Sequence, residues 1–233
     1  MKDVTAVPMA LGVARTPTRV TDYVALTKPR LNVLVVATSA AGYYLGAPGA
    51  IDMWQMLFAS SGTALVAGGA AALNQVYERD TDALMRRTCT RPLPGGRLPP
   101  REAQWFGLTF AILGLAMLAA RTSLVAASLA AATLVVYLSV YTPMKRRSPM
   151  ATLVGAIPGA LPPLIGWAAA RGSVSIGGAT LFAIVFLWQI PHFMAIAWLY
   201  RDDYRRAGFP MLTVIEPDGR RTGRQAVIYA AAL

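Results

Sequence analysis

A chain of 233 residues that is 55% hydrophobic and only 14% charged, with a mean hydropathy of +0.47, is too apolar for a soluble domain and reads as a polytopic membrane protein. A net charge of +11 would suggest nucleic acid in a soluble protein, but here the basic residues gather at the ends of apolar runs, which argues for no nucleic-acid partner. Cys89 is the one cysteine, so no intrachain disulfide or cysteine metal cluster is available, and it reads as an incidental free thiol.

Residues 1–20 are polar and contain proline, and are expected to form a flexible cytoplasmic N-terminus. Their short apolar run, 4–13, lacks the features of a signal peptide. Residues 21–233 are expected to form a single intramembrane domain. Its predicted class is all-α, a transmembrane helical bundle of six spans: 32–45, 56–77, 104–120, 124–141, 150–170 and 176–200. A seventh apolar run opens at Gln225 and stops at Leu233, well short of a bilayer's thickness, so the chain reads as C-terminally truncated. Of the 22 Lys and Arg, only Arg121 and Arg171 fall in the odd-numbered connections. That split puts the N-terminus and the charge-rich loops on the cytoplasmic side of a bacterial plasma membrane.

In chain order, Lys28 and Arg30 flank a proline that suits a helix start or an interfacial kink. They are either interfacial anchors or phosphate ligands. The second span is dense in Gly and Ala, which permits close helix approach in lipid. It then breaks directly into Asn74–Arg97, NQVYERDTDALMRRTCTRPLPGGR. If the helix continues through Asp82, the spacing i, i+4, i+8 puts Asn74, Glu78 and Asp82 on one face. Two carboxylates and an amide oxygen in register suit Mg²⁺, a hard cation usually completed by waters and substrate phosphates. Arg86 and Arg91 follow with planar donors for phosphate oxygens. Asp80 falls near the opposite side.

Residues 91–100 are rich in Pro and Gly and read as a loop; the third and fourth spans form a hairpin turning near 121–123. Lys145, Arg146 and Arg147 lie on the same side as the acidic stretch, as topology charges or as phosphate ligands. The fifth span carries Pro158, Pro162 and Pro163, a density that predicts a broken or kinked helix lining a cavity. His192 is the only histidine, sits within the sixth span beside Pro191, and is a functional candidate on that ground. An undistorted helix would put His192, Ile196, Leu199 and Asp203 on one face, with His192 about 16 Å below Asp203.

The pattern N-Q-x-x-E-R-D-x-D…R-T…R-P-L-P at 74–94 resembles the first Asp-rich motif of the UbiA superfamily of intramembrane prenyltransferases, departing from it at Gln75 and Glu78. W-Q-x-P-H-F at 188–193, D-Y-x-x-A-G-x-P-M-L at 203–212, K-P-R at 28–30 and G-A-x-P-P-x-x-G-W at 159–167 resemble the branch that makes haem O, the protohaem IX farnesyltransferases. The usual second motif, D-x-x-x-D, is absent; Asp202 and Asp203 stand in its place.

The resemblance implies transfer of farnesyl from farnesyl diphosphate to a vinyl group of haem b, inside a lipid bilayer. Asn74, Glu78 and Asp82 would hold Mg²⁺. Lys28, Arg30, Arg86, Arg91, Lys145 and Arg146 would bind the diphosphate, and Asp202 and Asp203 a second metal or a basic partner. His192 would serve the haem end, as an iron ligand or as an orienter of the vinyl group or of water. A downstream haem-modifying membrane enzyme is an expected partner. The alternatives are a prenyltransferase for another aromatic acceptor, such as a quinone precursor or a chlorin, and an organic-anion transporter.

Overall fold

The computed structural model describes residues 18–233, and the first part of the N-terminal segment (1–17) lies outside them. Among the described residues every regular element is helical. A short helix α1 (Arg19–Leu26), capped by the Thr18 side chain, leads into α2 (Pro29–Gly46), so Arg19 and Val20 belong to a helix. Then come α3 (Met53–Asp82), α4 (Pro100–Arg121), α5 (Leu124–Val135), a π turn at Val136–Tyr141 and the short α6 (Thr142–Met144). The remainder is α7 (Ala151–Arg171), α8 (Ile176–Leu199), α9 (Arg201–Arg206), α10 (Leu212–Ile215) and α11 (Arg220–Ala232).

Five helices are long and apolar enough to cross a membrane: α3, α4, the continuous Leu124–Met144 segment, α7 and α8. The protein is therefore an integral membrane bundle. α2 has 18 residues and begins with Arg30 and Asn32 in its first turn, which lowers its mean hydropathy. It is nevertheless wedged between α3 and α7.

The centre of the bundle is α7, whose most apolar stretch is 67% buried. The sequence led us to expect that its three prolines break or kink this helix. Instead α7 runs without a break from Ala151 to Arg171, with Pro158, Pro162 and Pro163 all buried. The physical reason is close support by α2. A side chain added at Gly42 would overlap the Pro163 carbonyl, and one at Gly166 would overlap the Ser39 carbonyl. Two backbones in contact along this line fix the helix where proline has removed its own hydrogen bonds. α3 and α4 use the same device, since Gly69 faces Gly107 and Gly62 faces Gly114. Tyr43, Val66, Leu118, Leu161 and Ile165 fill the space between.

The segments after α3, α6 and α8 come together at one end of the bundle. Lys145 reaches Glu78, and Asp203 receives the backbone of Arg86 and Arg87. α11 packs along α8, with Ala226 and Tyr229 against the buried Ile190 and Met194.

Candidate active site

Because α3 extends five residues beyond the apolar run predicted for its span, Asn74, Glu78 and Asp82 do line one face. All three are buried, with 1%, 6% and 1% exposure, although two of them are carboxylic acids. Burial of two acids requires compensation, and each has a dedicated cation. Lys145 Nζ donates to Glu78 Oε1 at 2.9 Å and to Oε2 at 3.2 Å. Arg91 Nη1 donates to Asp82 Oδ2 at 2.7 Å.

Asn74 completes the stripe as a relay. Its Nδ2 donates to Glu78 Oε2 at 2.8 Å, while its Oδ1 lies 2.7 Å from the Thr142 hydroxyl. Thr142 Oγ1 is also 2.7 Å from the Tyr137 carbonyl within the π turn, so its single proton serves one acceptor at a time. The wide turn carries the helix toward α3 and delivers both Thr142 and Lys145. The Lys145 ammonium also lies 4.4 Å from the centre of the Tyr141 ring. Burial opposes its charge, but Tyr141 and Glu78 outweigh burial and raise the ammonium's pKa. Thr142 and the π turn were not anticipated from sequence.

Lys28 approaches from the other side. It holds left-handed backbone (φ 49°) between α1 and α2, uncommon for a residue with a side chain. Desolvation first, then the charges of Arg91 and Lys145, pushes its ammonium down to about 7. Arg30, next to it in sequence, is exposed, as is Arg146 beside Lys145, and neither reaches the stripe. Gln75, the departure from the family motif, turns away from the stripe. It donates to the Leu26 carbonyl at 2.8 Å and so ties α1 to α3. Asp22 on α1 in turn accepts from Arg97 Nε at 2.9 Å, fixing the Pro-Gly loop. Asp80 is exposed and pairs with Arg79.

Asp202 and Asp203 do not form a paired acidic site. Asp202 is exposed and bonded to Arg205. Asp203 is buried, accepts from the backbone N–H groups of Arg86 and Arg87 at 3.2 and 3.3 Å, and pairs with Arg206. Burial raises the Asp203 pKa, but those three donors outweigh it and leave the carboxyl below its ordinary value. Arg87 is clamped at 4.8 Å from the Tyr200 ring and 5.2 Å from the Tyr204 ring, and donates to the Tyr204 hydroxyl at 2.9 Å. Arg86 is exposed on that side of the end face.

The single helical face expected for His192 and Asp203 does not form. α8 ends at Leu199, and Tyr200 (φ −107°, ψ 22°) redirects the chain before α9. Asp203 therefore turns inward, whereas His192 is exposed on the outer side of α8, stacked on Trp188 with ring centres 5.1 Å apart.

Among the described residues no three His, Cys, Asp or Glu side chains converge as a metal cluster. Mg²⁺ does not need one, because one or two protein carboxylates plus substrate phosphates and waters make its usual shell. Glu78 and Asp82, aligned with the Asn74 amide and surrounded by cations that also suit phosphate, fit that requirement.

The UbiA prenyltransferase family's sequence profile matches residues 35–233. A protoheme IX farnesyltransferase of Solibacter usitatus is 50% identical over 221 residues, covering 91% of this chain and 76% of that protein. One from Myxococcus xanthus is 44% identical, covering 93% and 73%, and the mitochondrial one of Arabidopsis thaliana is 45% identical, covering 88% and 48%. Among solved structures, a UbiA homologue from Archaeoglobus fulgidus bound to DMAPP and Mg²⁺ superposes with a TM-score of 0.73 at 18% identity, covering 91% of this chain and 74% of that one. Fold, motif positions and sequence profile agree: this chain belongs to the UbiA prenyltransferase family.

Proposed function

We propose that the chain transfers the farnesyl group of farnesyl diphosphate to a vinyl group of protohaem IX, producing haem O. Relatives at 44–50% identity carry the name of that activity. The observation that carries the chemistry is the buried Asn74–Glu78–Asp82 stripe, held between Lys145 and Arg91 at one end of the bundle.

The reaction breaks the bond between C1 of the farnesyl chain and diphosphate oxygen, and the electron pair leaves with the diphosphate. The vinyl carbon attacks the allylic cation; water then adds to the resulting cation and loses a proton, giving the hydroxyethylfarnesyl side chain. Glu78 and Asp82, with Asn74, would hold Mg²⁺, which when bound neutralises charge on the leaving diphosphate. Lys145 and Arg91 flank the same position and supply fixed positive charge, the kind of preorganised stabilisation that lowers such barriers most, while Lys28 lies beside them with its ammonium pushed down to about 7. Asn74 and Thr142 hold the Glu78 carboxylate in one orientation. The apolar helices excluding water below the stripe protect the allylic cation until the vinyl carbon reaches it.

We read α2 as a sixth span and α11 as opening a seventh, in a bacterial plasma membrane. The end bearing Asp82, Lys145 and Asp203 faces the cytoplasm, in line with the distribution of basic residues. Mass spectrometry of haem extracted from cells expressing the protein tests the activity. A hydroxyethylfarnesyl-substituted haem supports it, and unmodified haem b together with prenylation of a quinone precursor refutes it.

A further inference from the structure

A second basic pocket lies at the same end of the bundle, outside the carboxylate stripe. It is a cavity of about 400 Å³ lined by Arg86, Arg87, Leu199, Tyr200, Asp202, Asp203 and Arg206. Its construction differs from that of the diphosphate site. Asp203 is already saturated by two backbone N–H groups and Arg206, so the pocket offers no free buried carboxylate to a metal. Arg87 is immobilised by its two tyrosines, and its neighbour Arg86 is steered outward by the backbone tie to Asp203. Among the described residues the Arg86 side chain makes no hydrogen bond or ion pair. The walls include the 71%-exposed Leu199 and the Tyr200 side chain. The pocket thus joins planar guanidinium donors to apolar surface, which suits carboxylates on a large apolar body better than a hydrated, metal-bound diphosphate.

Resting on the proposed function, we propose that this pocket grips the propionate carboxylates of the porphyrin acceptor, with Arg86 and Arg206 as the donors. Charge complementarity favours this occupant. Three arginines against two carboxylates leave one net positive charge in the lining, and the Asp202 carboxylate is itself bonded to Arg205 outside it. Placement agrees. Tyr204, whose hydroxyl accepts from Arg87 at 2.9 Å, lies at the same end of the bundle as Lys145 and Glu78. In protohaem IX the vinyl groups lie on the ring edge opposite the propionates. A ring anchored by its propionates at Arg86 and Arg206 can extend over Tyr204 and bring its vinyl edge to the farnesyl diphosphate beside Glu78 and Lys145. Arg86 then belongs to the acceptor rather than to the diphosphate.

The test measures the purified full chain in lipid nanodiscs with saturating farnesyl diphosphate, titrating protohaem IX and, separately, its dipropionate dimethyl ester. Absence of any farnesylated haem from the unsubstituted protein would refute the activity itself. Given product, the inference expects the ester's KM to exceed that of the diacid by about tenfold or more, the size of a lost charge-assisted hydrogen bond. Arg86→Gln should raise the diacid KM about tenfold, narrow the diacid–ester gap and leave the KM for farnesyl diphosphate unchanged, with Arg86→Lys recovering part of the loss. The inference is overturned if the two acceptors are used equally, or if Arg86→Gln raises the KM for farnesyl diphosphate instead. It is overturned too if anionic phospholipid in the nanodisc competes while esterification has no effect, because the pocket would then hold a lipid headgroup.

Discussion

The ion pair between Lys145 and Glu78 permits a quantitative test. The ammonium sits 2.9 and 3.2 Å from the two carboxylate oxygens, with 13% and 7% of the respective side chains exposed. At ~3 Å and an effective dielectric of ~20, the attraction is about 5 kcal/mol before desolvation is charged against it. Replacing Lys145 by Met removes that attraction and leaves a buried carboxylate satisfied only by Asn74 Nδ2. Breaking such a pair costs ~3–5 kcal/mol, and the partial access of water to Lys145 favours the lower end, about 3. Neutralising the orphan in Lys145→Met/Glu78→Gln should recover about 2 kcal/mol of that loss. The assay is chemical unfolding of the purified protein in detergent, followed by helical signal for the wild type, both single variants and the double variant. A double variant no more stable than Lys145→Met alone would refute the claim that Lys145 is there to neutralise Glu78. Both variants should be inactive, so stability and not turnover is the readout.

Four further outcomes follow from the geometry. Asp82→Ala should lower turnover by at least about 10²-fold while the protein still inserts, and excess chelator should do the same; full activity in either experiment would remove the metal from the mechanism. Gly166→Ala places a methyl against the Ser39 carbonyl, so the yield of folded protein in detergent should fall sharply, whereas Gly172→Ala near the far end, with open space around it, should cost far less despite its positive φ of 70°. Because the Asp203 pKa is depressed, its contribution to stability is complete above the ordinary value of 3.8 and is lost as pH falls through the lower folded value; Asp203→Asn should abolish that acid-side component of the unfolding profile. His192→Ala should leave the KM for farnesyl diphosphate within about twofold, since His192 is exposed on the outer side of α8 and stacked on Trp188 rather than joined to the Asn74–Glu78–Asp82 stripe; a marked rise in that KM would contradict this.

The acidic stripe was legible in the sequence because a bilayer leaves the backbone little choice but helix, and helical spacing then places Asn74, Glu78 and Asp82 together. That the charged segments after α3, α6 and α8 share one end of the bundle was legible for a similar reason. What those charges pair with was not. Asp203 meets Arg86 and Arg87 across 117 and 116 residues, a contact set by how α8 ends rather than by any local pattern. A straight-helix extrapolation from His192 to Asp203 failed at Tyr200, where no proline or glycine marks the turn. The prolines of α7 misled in the opposite direction. They signal a weakened helix, but the support comes from α2, where Gly42 meets Pro163 and Ser39 meets Gly166 across more than a hundred residues of sequence. Gln75, a departure from the family motif in sequence, is a strut between α1 and α3.

The π turn at Val136–Tyr141 has a consequence for how this span can vary. A π turn amounts to one residue more than a regular helix would use, and everything after it is rotated accordingly. Losing one residue there would shorten the helix by only ~1.5 Å, a change a bilayer absorbs easily, yet it would swing Lys145 about 100° around the helix axis and away from Glu78. The segment is therefore tolerant in composition and intolerant in length. Val136, Leu138, Ser139 and Val140 can be exchanged for other lipid-compatible side chains with less harm than the loss of one residue, because the reading frame of the helix aims the lysine that the Tyr141 ring then meets.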